Sequence, residues 1–395
     1  MAIQSSNRIQ KVKPSLTLAV TALAAQLRAE GRDVIGLAAG EPDFDTPDHV
    51  KQAAITAIND GFTKYTAVDG TPSLKQAIIN KFEKDNGLSY QPEQILVSCG
   101  GKQSFFNMAQ AMLNPGDEVI IPAPYWVSYP DMVKLADAEP VIIEGDESQQ
   151  FKITAQQLKA AITDKTRLFV INSPSNPSGK AYTLAELKAL GEVLKDYPNI
   201  LIATDDMYEH ILWTEEGFCN IVNACPELYD RTLVLNGVSK AYAMTGWRIG
   251  YAGGPAELIK NMKKIQSQST SNPTSIAQVA AQAALEGDQS RLQEMNTAFR
   301  QRHDYVLKTL LAMDGVTCLP SDGTFYIFPG FHSVMEKMGI DDDVKLAEKI
   351  LAEAEVALVP GSAFGTQGHL RISFATDMGS LERALDRIGN FIAKG

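Results

Sequence analysis

The sequence predicts an α/β protein built on a mainly parallel sheet of seven strands, followed by a smaller α+β domain. From about residue 94 to residue 268, short apolar segments typical of strands alternate with segments of helical periodicity. This alternation is the pattern of βαβ units, whose helices cover both faces of the sheet. After about residue 285 it gives way to one long helix and then to a mixture of short strands and helices.

Length and composition fit two domains and exclude several classes of partner. The chain has 395 residues, of which 45% are hydrophobic and 21% charged, as is ordinary for a globular protein. Its net charge of −11 argues against nucleic acid, and no apolar run approaches a membrane span. The four cysteines are Cys99, Cys219, Cys225 and Cys318. Their spacing is not that of metal ligands and suggests no disulfide framework, so we expect a cytoplasmic protein without a metal.

The N-terminal region allows two interpretations. Several basic residues precede an apolar stretch at 16–25, an arrangement that resembles the basic and apolar regions of a signal peptide. The same stretch continues with helical periodicity to Gly31, which favours an amphipathic helix with Pro14 near its first turn. We therefore expect a helix here.

The first part of the chain predicts the following elements in order. A strand at 34–38 leads into a loop rich in Pro, Gly and Asp at 40–47. Further strands are expected at 94–98, 118–122, 139–143, 167–172, 200–205, 231–236 and 247–253. Helices are expected at 47–60, 72–86, 100–113, 127–136, 154–162, 183–196 and 255–268. Because ligands bind at the carboxyl ends of strands in such sheets, the residues that follow each strand are candidates for a site.

The remaining part of the chain predicts a different architecture. A long helix at 291–313 is followed by strands at 316–319, 324–328, 356–359 and 370–374 and helices at 343–354 and 379–392. We expect a large domain at 47–285 and a small domain formed by 1–46 and 286–395.

Lys240 and Arg248 are the first candidates for chemistry. Lys240 follows the apolar segment 231–236 and is surrounded by small residues, and Arg248 lies eight residues further on. An amine held away from water can lose its proton and attack a carbonyl, and an arginine can bind a phosphate through two hydrogen bonds. Spacing alone favours two solvated surface charges, so the functional interpretation depends on the other strand ends.

Complementary groups follow four other predicted strands. They are a glycine pair at a helix start, where backbone N–H groups attract anions, and then a flat aromatic, an amide, a carboxylate and a phenol. The residues are Gly100, Gly101, Lys102, Trp126, Asn176, Asp205 and Tyr208. Each alone has an ordinary explanation as a tight turn, a core residue or a helix cap. Together with the lysine and arginine, they make up the set of groups that pyridoxal phosphate requires.

Four segments carry a resemblance to a known family: Ser239–Arg248, Gly40–Phe44, Asn172–Pro177 and Asp205–Tyr208. In sequence and order they resemble the class I aminotransferases of fold type I, in particular the bacterial aspartate aminotransferase branch, which includes aspartate/prephenate aminotransferases. The resemblance extends from the first helix to the last. It implies a pyridoxal 5′-phosphate enzyme that acts on amino acids and keto acids as a homodimer.

The resemblance also implies roles for individual residues. Lys240 would form the Schiff base with the cofactor and move a proton between the substrate's Cα and C4′ of the cofactor. Other residues would contact the cofactor: Gly100, Gly101, Lys102, Trp126, Asn176, Asp205, Tyr208, Ser239 and Arg248, with Tyr65 reaching the phosphate bound by a neighbouring subunit. Arg371 would grip the substrate's α-carboxylate, with further substrate contacts from Gly40, Trp126 and Asn176.

Two departures from the family pattern concern the substrate and the phosphate. A sister subgroup binds the side-chain carboxylate through an arginine in the stretch that corresponds to 265–273, which here contains neither Arg nor Lys. Lys102 and Ser15 are the candidates in its place, and Lys13 occupies a position that this branch associates with prephenate. Residue 237 is a glycine, where many relatives have a serine that binds the phosphate. Whether Ser239 takes over the role of that serine is left open by the sequence.

The expected activity is transfer of the amino group of L-aspartate to 2-oxoglutarate. The nearest alternative has prephenate as the acceptor, which gives arogenate. A lyase or synthase on the same scaffold is a second alternative, because a fold does not fix a reaction. A cofactor-binding regulator is a third, although the residues before Pro14 are too few for a DNA-binding domain.

Overall fold

The computed structural model describes residues 4–14 and 16–394, and for Leu18 only the backbone. The described helices are α1 Asn7–Gln10, α2 Leu16–Ala29, α3 Asp48–Asn59, α4 Pro72–Asn86, α5 Gly101–Met112, α6 Ser128–Leu135, α7 Ala155–Ala161, α8 Leu184–Lys195, α9 Ile221–Ala224, α10 Ala256–Ser267, α11 Ser275–Glu286, α12 Ser290–Leu311, α13 His332–Met338, α14 Asp343–Ala354 and α15 Met378–Lys394. None of these helices combines the length and the apolar character that crossing a membrane requires.

The described strands form one large sheet and two small ones. They are β1 Ile35–Gly36, β2 Ile95–Ser98, β3 Glu118–Ala123, β4 Glu139–Glu144, β5 Thr166–Asn172, β6 Leu201–Asp205, β7 Thr232–Gly237, β8 Gly250–Gly253, β9 Tyr326–Ile327, β10 Val356–Ala357, β11 Val359–Pro360 and β12 Leu370–Ser373. The large sheet has the order β2-β8-β7-β6-β5-β3-β4, and β8 runs in the opposite direction to the other six strands. The predicted mainly parallel, seven-stranded α/β architecture is confirmed.

Both faces of the large sheet are buried. In β5, Phe169 and Ile171 belong to one hydrophobic core, while Leu168 and Val170 belong to another on the opposite face. Successive side chains of a strand point to opposite faces, so a strand that is apolar throughout requires helices on both sides. Because both faces of the sheet are covered, a ligand can reach it at the carboxyl ends of the strands.

A separate core lies around the short sheet β11-β12-β9. Phe299 of α12, Leu346 of α14, Ile372 of β12 and Leu385 of α15 are all buried in it. This part has the α+β character predicted from the sequence, although the domain boundaries themselves stay a prediction.

Local sequence explains where several helices begin and end. Thr183 caps α8, because its hydroxyl accepts from the Glu186 N–H while the Glu186 carboxylate accepts from the Thr183 N–H. Thr71 caps α4, and Gly87 ends it with φ +64°, a left-handed conformation that glycine adopts without strain.

Several sequence predictions of secondary structure were wrong. The strand predicted at 247–253 begins only at Gly250, because residues 245–247 form a 3₁₀ turn and Arg248 has φ +55°. No strand forms at 316–319, where one bridge joins Thr317 to Gly330. Among the helices that the sequence did not predict, α11 buries mainly alanines, whose small side chains give a weak periodic signal.

Candidate active site

A cavity of about 420 Å³ lies where β5, β6 and β7 end. Most residues predicted from the sequence line it: Gly40, Gly101, Lys102, Trp126, Asn176, Asp205, Tyr208, Ser239, Lys240, Arg248 and Arg371. The lining also includes residues that the sequence analysis did not select: Thr17, Thr21, Glu41, Asn172, Met207, Thr245 and Tyr326. The cavity therefore collects groups that are more than 300 residues apart in the chain.

Lys240 presents an amine of lowered basicity to this cavity. Its Nζ donates a hydrogen bond of 2.5 Å to the carbonyl oxygen of Gly40. Burial, reinforced by the positive charge of Arg371, lowers the pKa of Lys240 from 10.5 to about 8. A larger fraction of the amine is thus unprotonated near neutral pH, as attack on a carbonyl requires.

The lowered pKa predicts a measurable effect on stability. Below pH 8 the lysine is charged in both the folded and the unfolded chain, and burial of that charge destabilises the fold. Between pH 8 and 10.5 the unfolded chain binds more protons, so stability rises with pH. Lys240→Met is expected to raise the free energy of unfolding of the cofactor-free protein by about 3 kcal/mol at pH 7. Denaturant titrations should show this gain shrinking towards pH 10.5; a gain that stays constant with pH would contradict the assignment.

Asp205 is held rigidly at the end of β6. Its Oδ2 accepts a 2.5 Å hydrogen bond from the hydroxyl of Tyr129, and its Oδ1 accepts from the Met207 N–H at 3.3 Å. Burial raises the pKa of Asp205, while the Tyr129 hydrogen bond opposes that shift. The Asn172 amide donates to the backbone carbonyl of Asp205 at 2.9 Å, which fixes the two strand ends to each other.

Arg371, on β12, approaches the cavity from the α+β part of the chain. Its side chain is 3% exposed, and its two terminal nitrogens donate to Oδ1 of Asn176 at 2.9 Å and to the carbonyl of Ala38 at 2.7 Å. Its Nε–H has no hydrogen-bond partner among the described residues. A buried donor without a partner is costly, so this group suits a bound anion.

Backbone and side-chain donors converge at the start of α5. Gly100 has φ +89°, and a Cβ placed on it would lie 2.3 Å from Nη2 of Arg248. Gly101 then begins the helix, whose first N–H groups have no partners within the helix. Glycine backbone, helix N-terminus and a nearby guanidinium together form a site suited to a phosphate.

Lys102 and Trp126 form one wall of the cavity. The Lys102 Nζ lies 5.1 Å from the centre of a Trp126 ring, within range of a cation–π interaction. Burial and the charge of Arg248 lower the pKa of Lys102. The ring of Tyr129 packs edge-on against Trp126, with 5.2 Å between the two ring centres.

Four predicted residues are not part of this lining. Gly100 is one of them, although it precedes the lining residue Gly101 and lies against the guanidinium of Arg248. Tyr65 is 91% exposed and lies in a separate surface depression with Lys64 and Asn272. Lys13 lines a neighbouring cavity of about 1040 Å³ that shares Lys102 and Trp126 with the first. Ser15 falls outside the described residues.

Gly237 explains one departure from the family pattern. A Cβ at this position would lie 3.1 Å from both the Cα of Gly250 and the carbonyl oxygen of Ile249. The close approach of β7 and β8 therefore favours glycine here. Ser239, by contrast, lines the cavity.

Comparison with known proteins agrees with this geometry. The family described as aminotransferase class I and II matches residues 32–388. An aspartate/prephenate aminotransferase of Nitrosomonas europaea is 60% identical over 98% of this chain and 99% of its own length. An aspartate aminotransferase of Rhizobium meliloti has a crystal structure with a TM-score of 0.95 and 49% identity, covering 99% of both chains.

A third relative was solved with a ligand. The aspartate aminotransferase of Thermus thermophilus, described with maleate, has a TM-score of 0.93 and 42% identity, and the match covers 98% of this chain and 100% of that one. These matches confirm the fold expected from the resemblance. The sequence match over most of the chain and the close structural relatives show that the protein belongs to the class I and II aminotransferases.

Proposed function

We propose that this chain is a pyridoxal-phosphate-dependent aspartate aminotransferase, which converts L-aspartate and 2-oxoglutarate to oxaloacetate and L-glutamate by a ping-pong mechanism. One observation carries the proposal: a lysine amine of lowered basicity and an arginine with an unpartnered Nε–H face one cavity that ends in an anion site. The names of the relatives point to the same substrate.

The residues present fit the cofactor. Pyridoxal phosphate supplies an aldehyde for the amino group and a ring that withdraws electrons from the Cα–H bond. Gly100, Gly101 and Arg248 would hold its phosphate, and Trp126 would stack on its ring. The carboxyl group of Asp205, which accepts a hydrogen bond from Tyr129, would keep a proton on the ring nitrogen.

Lys240 has a second role besides attachment. If a substrate amine took its place on the cofactor, the Lys240 amine would remain in the cavity, where it could take a proton from Cα and return it. The pKa of about 8 that Lys240 has in the cofactor-free chain suits such a role near neutral pH. Tyr208 and Asn176 would contact the ring hydroxyl, and Asn176 already accepts from Arg371.

The charges of the cavity favour a dicarboxylate substrate. Its lining contains four basic side chains and two acidic ones: Lys102, Lys240, Arg248 and Arg371 against Glu41 and Asp205. With Arg371 on the α-carboxylate and Arg248 on the phosphate, Lys102 remains for the side-chain carboxylate.

Prephenate is the second candidate substrate. The Nitrosomonas relative is named for both aspartate and prephenate. The neighbouring cavity adds about 1040 Å³ beside Lys102 and is lined by Lys13, so a larger dicarboxylate has room and a second cation. Steady-state assays with aspartate as donor and either 2-oxoglutarate or prephenate as acceptor separate the two proposals. Release of ammonia from a single amino acid would instead indicate a lyase.

We also propose a cytoplasmic homodimer with two domains divided at residues 47 and 285. The four cysteines are free, which fits a reducing compartment. Tyr65 and three apolar side chains of α3 and its following loop are exposed together: Ile55, Ile58 and Phe62. A patch of this kind favours contact with a second copy, in which Tyr65 could reach the partner's phosphate site.

Light scattering tests the dimer directly. At micromolar concentration we expect a mass of about twice the 42.9 kDa of one chain. Tyr65→Phe should weaken cofactor binding without changing that mass. A monomer with full turnover would contradict the proposed dimer.

A further inference from the structure

Tyr326 contacts two residues of the site, Tyr208 and Arg371. It lies on β9, is 1% exposed and lines the cavity. Its hydroxyl oxygen lies 3.1 Å from the hydroxyl oxygen of Tyr208. The guanidinium carbon of Arg371 lies 4.3 Å from the centre of its ring. One side chain therefore touches both the proposed cofactor phenol and the proposed substrate arginine.

The position of Tyr326 is fixed from several sides. Its N–H donates to the Thr324 hydroxyl at 3.1 Å, and its carbonyl accepts from the Ser321 hydroxyl at 2.7 Å. Pairing of β9 with β12 places it opposite Ser373, two residues beyond Arg371. A Cβ on Gly40 would lie 2.9 Å from its hydroxyl, so the backbone also closes around that group. These contacts fix the backbone of Tyr326, and the close approach of Gly40 limits the space around its hydroxyl.

The two hydroxyls constrain each other's protons. In the structure the Tyr208 hydroxyl donates to the Tyr326 hydroxyl, but each phenol has one proton on a rotatable O–H, so the direction can reverse when a cofactor binds. If Tyr208 donated a hydrogen bond to the ring oxygen of a bound cofactor, the hydrogen bond between the two phenols would have to be donated by Tyr326. A hydroxyl that accepts one hydrogen bond becomes a stronger donor in the next.

This inference rests on the function proposed above. We propose that Tyr326 is a positioning residue with two separable parts. Its hydroxyl directs the hydrogen bond of Tyr208 to the cofactor, and its ring supports Arg371. The hydroxyl acts on the cofactor through Tyr208. The ring offers a flat, negative face to the guanidinium and so helps to fix the position of Arg371 in the cavity wall. A tyrosine that only fills space would show neither effect.

Two variants separate these parts. Tyr326→Phe keeps the ring and removes the hydroxyl, whereas Tyr326→Leu removes both. Tyr182→Phe is the matched control, because it also removes a buried, hydrogen-bonded hydroxyl, one that accepts from Ile153 outside the cavity. The readouts are the pH titration of the visible absorption of the bound cofactor and the dissociation constant of maleate, a dicarboxylate that cannot be transaminated.

The expected results differ between the variants. Tyr326→Phe should raise the apparent pKa of the absorption change by about 0.5–1 unit, because a less stabilised ring oxygen retains the neighbouring proton more strongly. Its affinity for maleate should stay within about twofold of the wild type, while Tyr326→Leu should bind maleate about tenfold more weakly. The control should match the wild type in both measurements.

The outcomes also separate this inference from the proposed function. If wild-type protein shows no visible cofactor absorption, the proposed function fails and this inference fails with it. If wild-type protein titrates and Tyr326→Phe titrates identically, only the role of the hydroxyl is overturned. If Tyr326→Leu binds maleate as tightly as the wild type, the role of the ring is overturned.

Discussion

Lys240→Ala is expected to lower kcat for aspartate transamination by about 10⁴-fold or more, because it removes both the nucleophile and the base at the reacting carbon. The surrounding side chains that would hold the cofactor stay in place. The variant should therefore still bind pyridoxal phosphate, although without a covalent bond. Mass spectrometry after borohydride reduction should find the cofactor attached to the wild type and absent from the variant.

A matched control identifies the source of that loss. Lys152 is also a buried lysine, but it pairs with Glu186 outside the cavity. Lys152→Met should keep kcat within about threefold when measured well below its unfolding temperature, because it touches no reacting group. Turnover by Lys240→Ala close to that of Lys152→Met would exclude Lys240 as the catalytic lysine.

Arg371→Lys should lower kcat/KM for aspartate by about 10²- to 10³-fold, as removal of a buried charge-assisted pair costs roughly 3–4 kcal/mol. The substitution keeps the positive charge but loses the planar fork. It also removes the two guanidinium hydrogen bonds, to Oδ1 of Asn176 and to the carbonyl of Ala38. Most of the loss should appear in KM, since the carboxylate is bound in the ground state as well as in the transition state.

Arg302 provides the corresponding control. Its guanidinium makes two hydrogen bonds to Asp43, at 2.7 and 2.9 Å, and does not line the cavity. Arg302→Lys breaks a fork of the same kind, so kcat/KM should change by no more than about threefold. Equal losses in both variants would mean that Arg371 acts only through the fold.

The sequence predicted the strand-end residues best. Asp205 and Lys240 each follow an apolar strand, and the rule that sites lie at the carboxyl ends of parallel strands places them together. Arg371 was different, because a strand arginine 131 residues beyond Lys240 has no local pattern that marks it. Only the resemblance to a family singled it out.

Residues that act through another side chain were missed. Tyr129 is three positions after Trp126 and looks like a core aromatic, yet its hydroxyl reaches Asp205, 76 residues away. Tyr326 reaches Tyr208 across 118 residues. Such contacts depend on how distant elements pack, and a buried tyrosine carries no sequence signal that tells a hydrogen-bonding hydroxyl from a space-filling ring.

The central claim is that Lys240, Asp205 and Arg371 together perform the first half of a transamination. The most direct test is the visible spectrum of the cofactor-loaded protein before and after L-aspartate alone, with oxaloacetate measured. We expect the absorption band to be lost to the aminated form of the cofactor, with about one oxaloacetate released per chain, since a first half-reaction needs no acceptor. A loaded protein whose spectrum aspartate leaves unchanged, with no oxaloacetate released, would contradict the account.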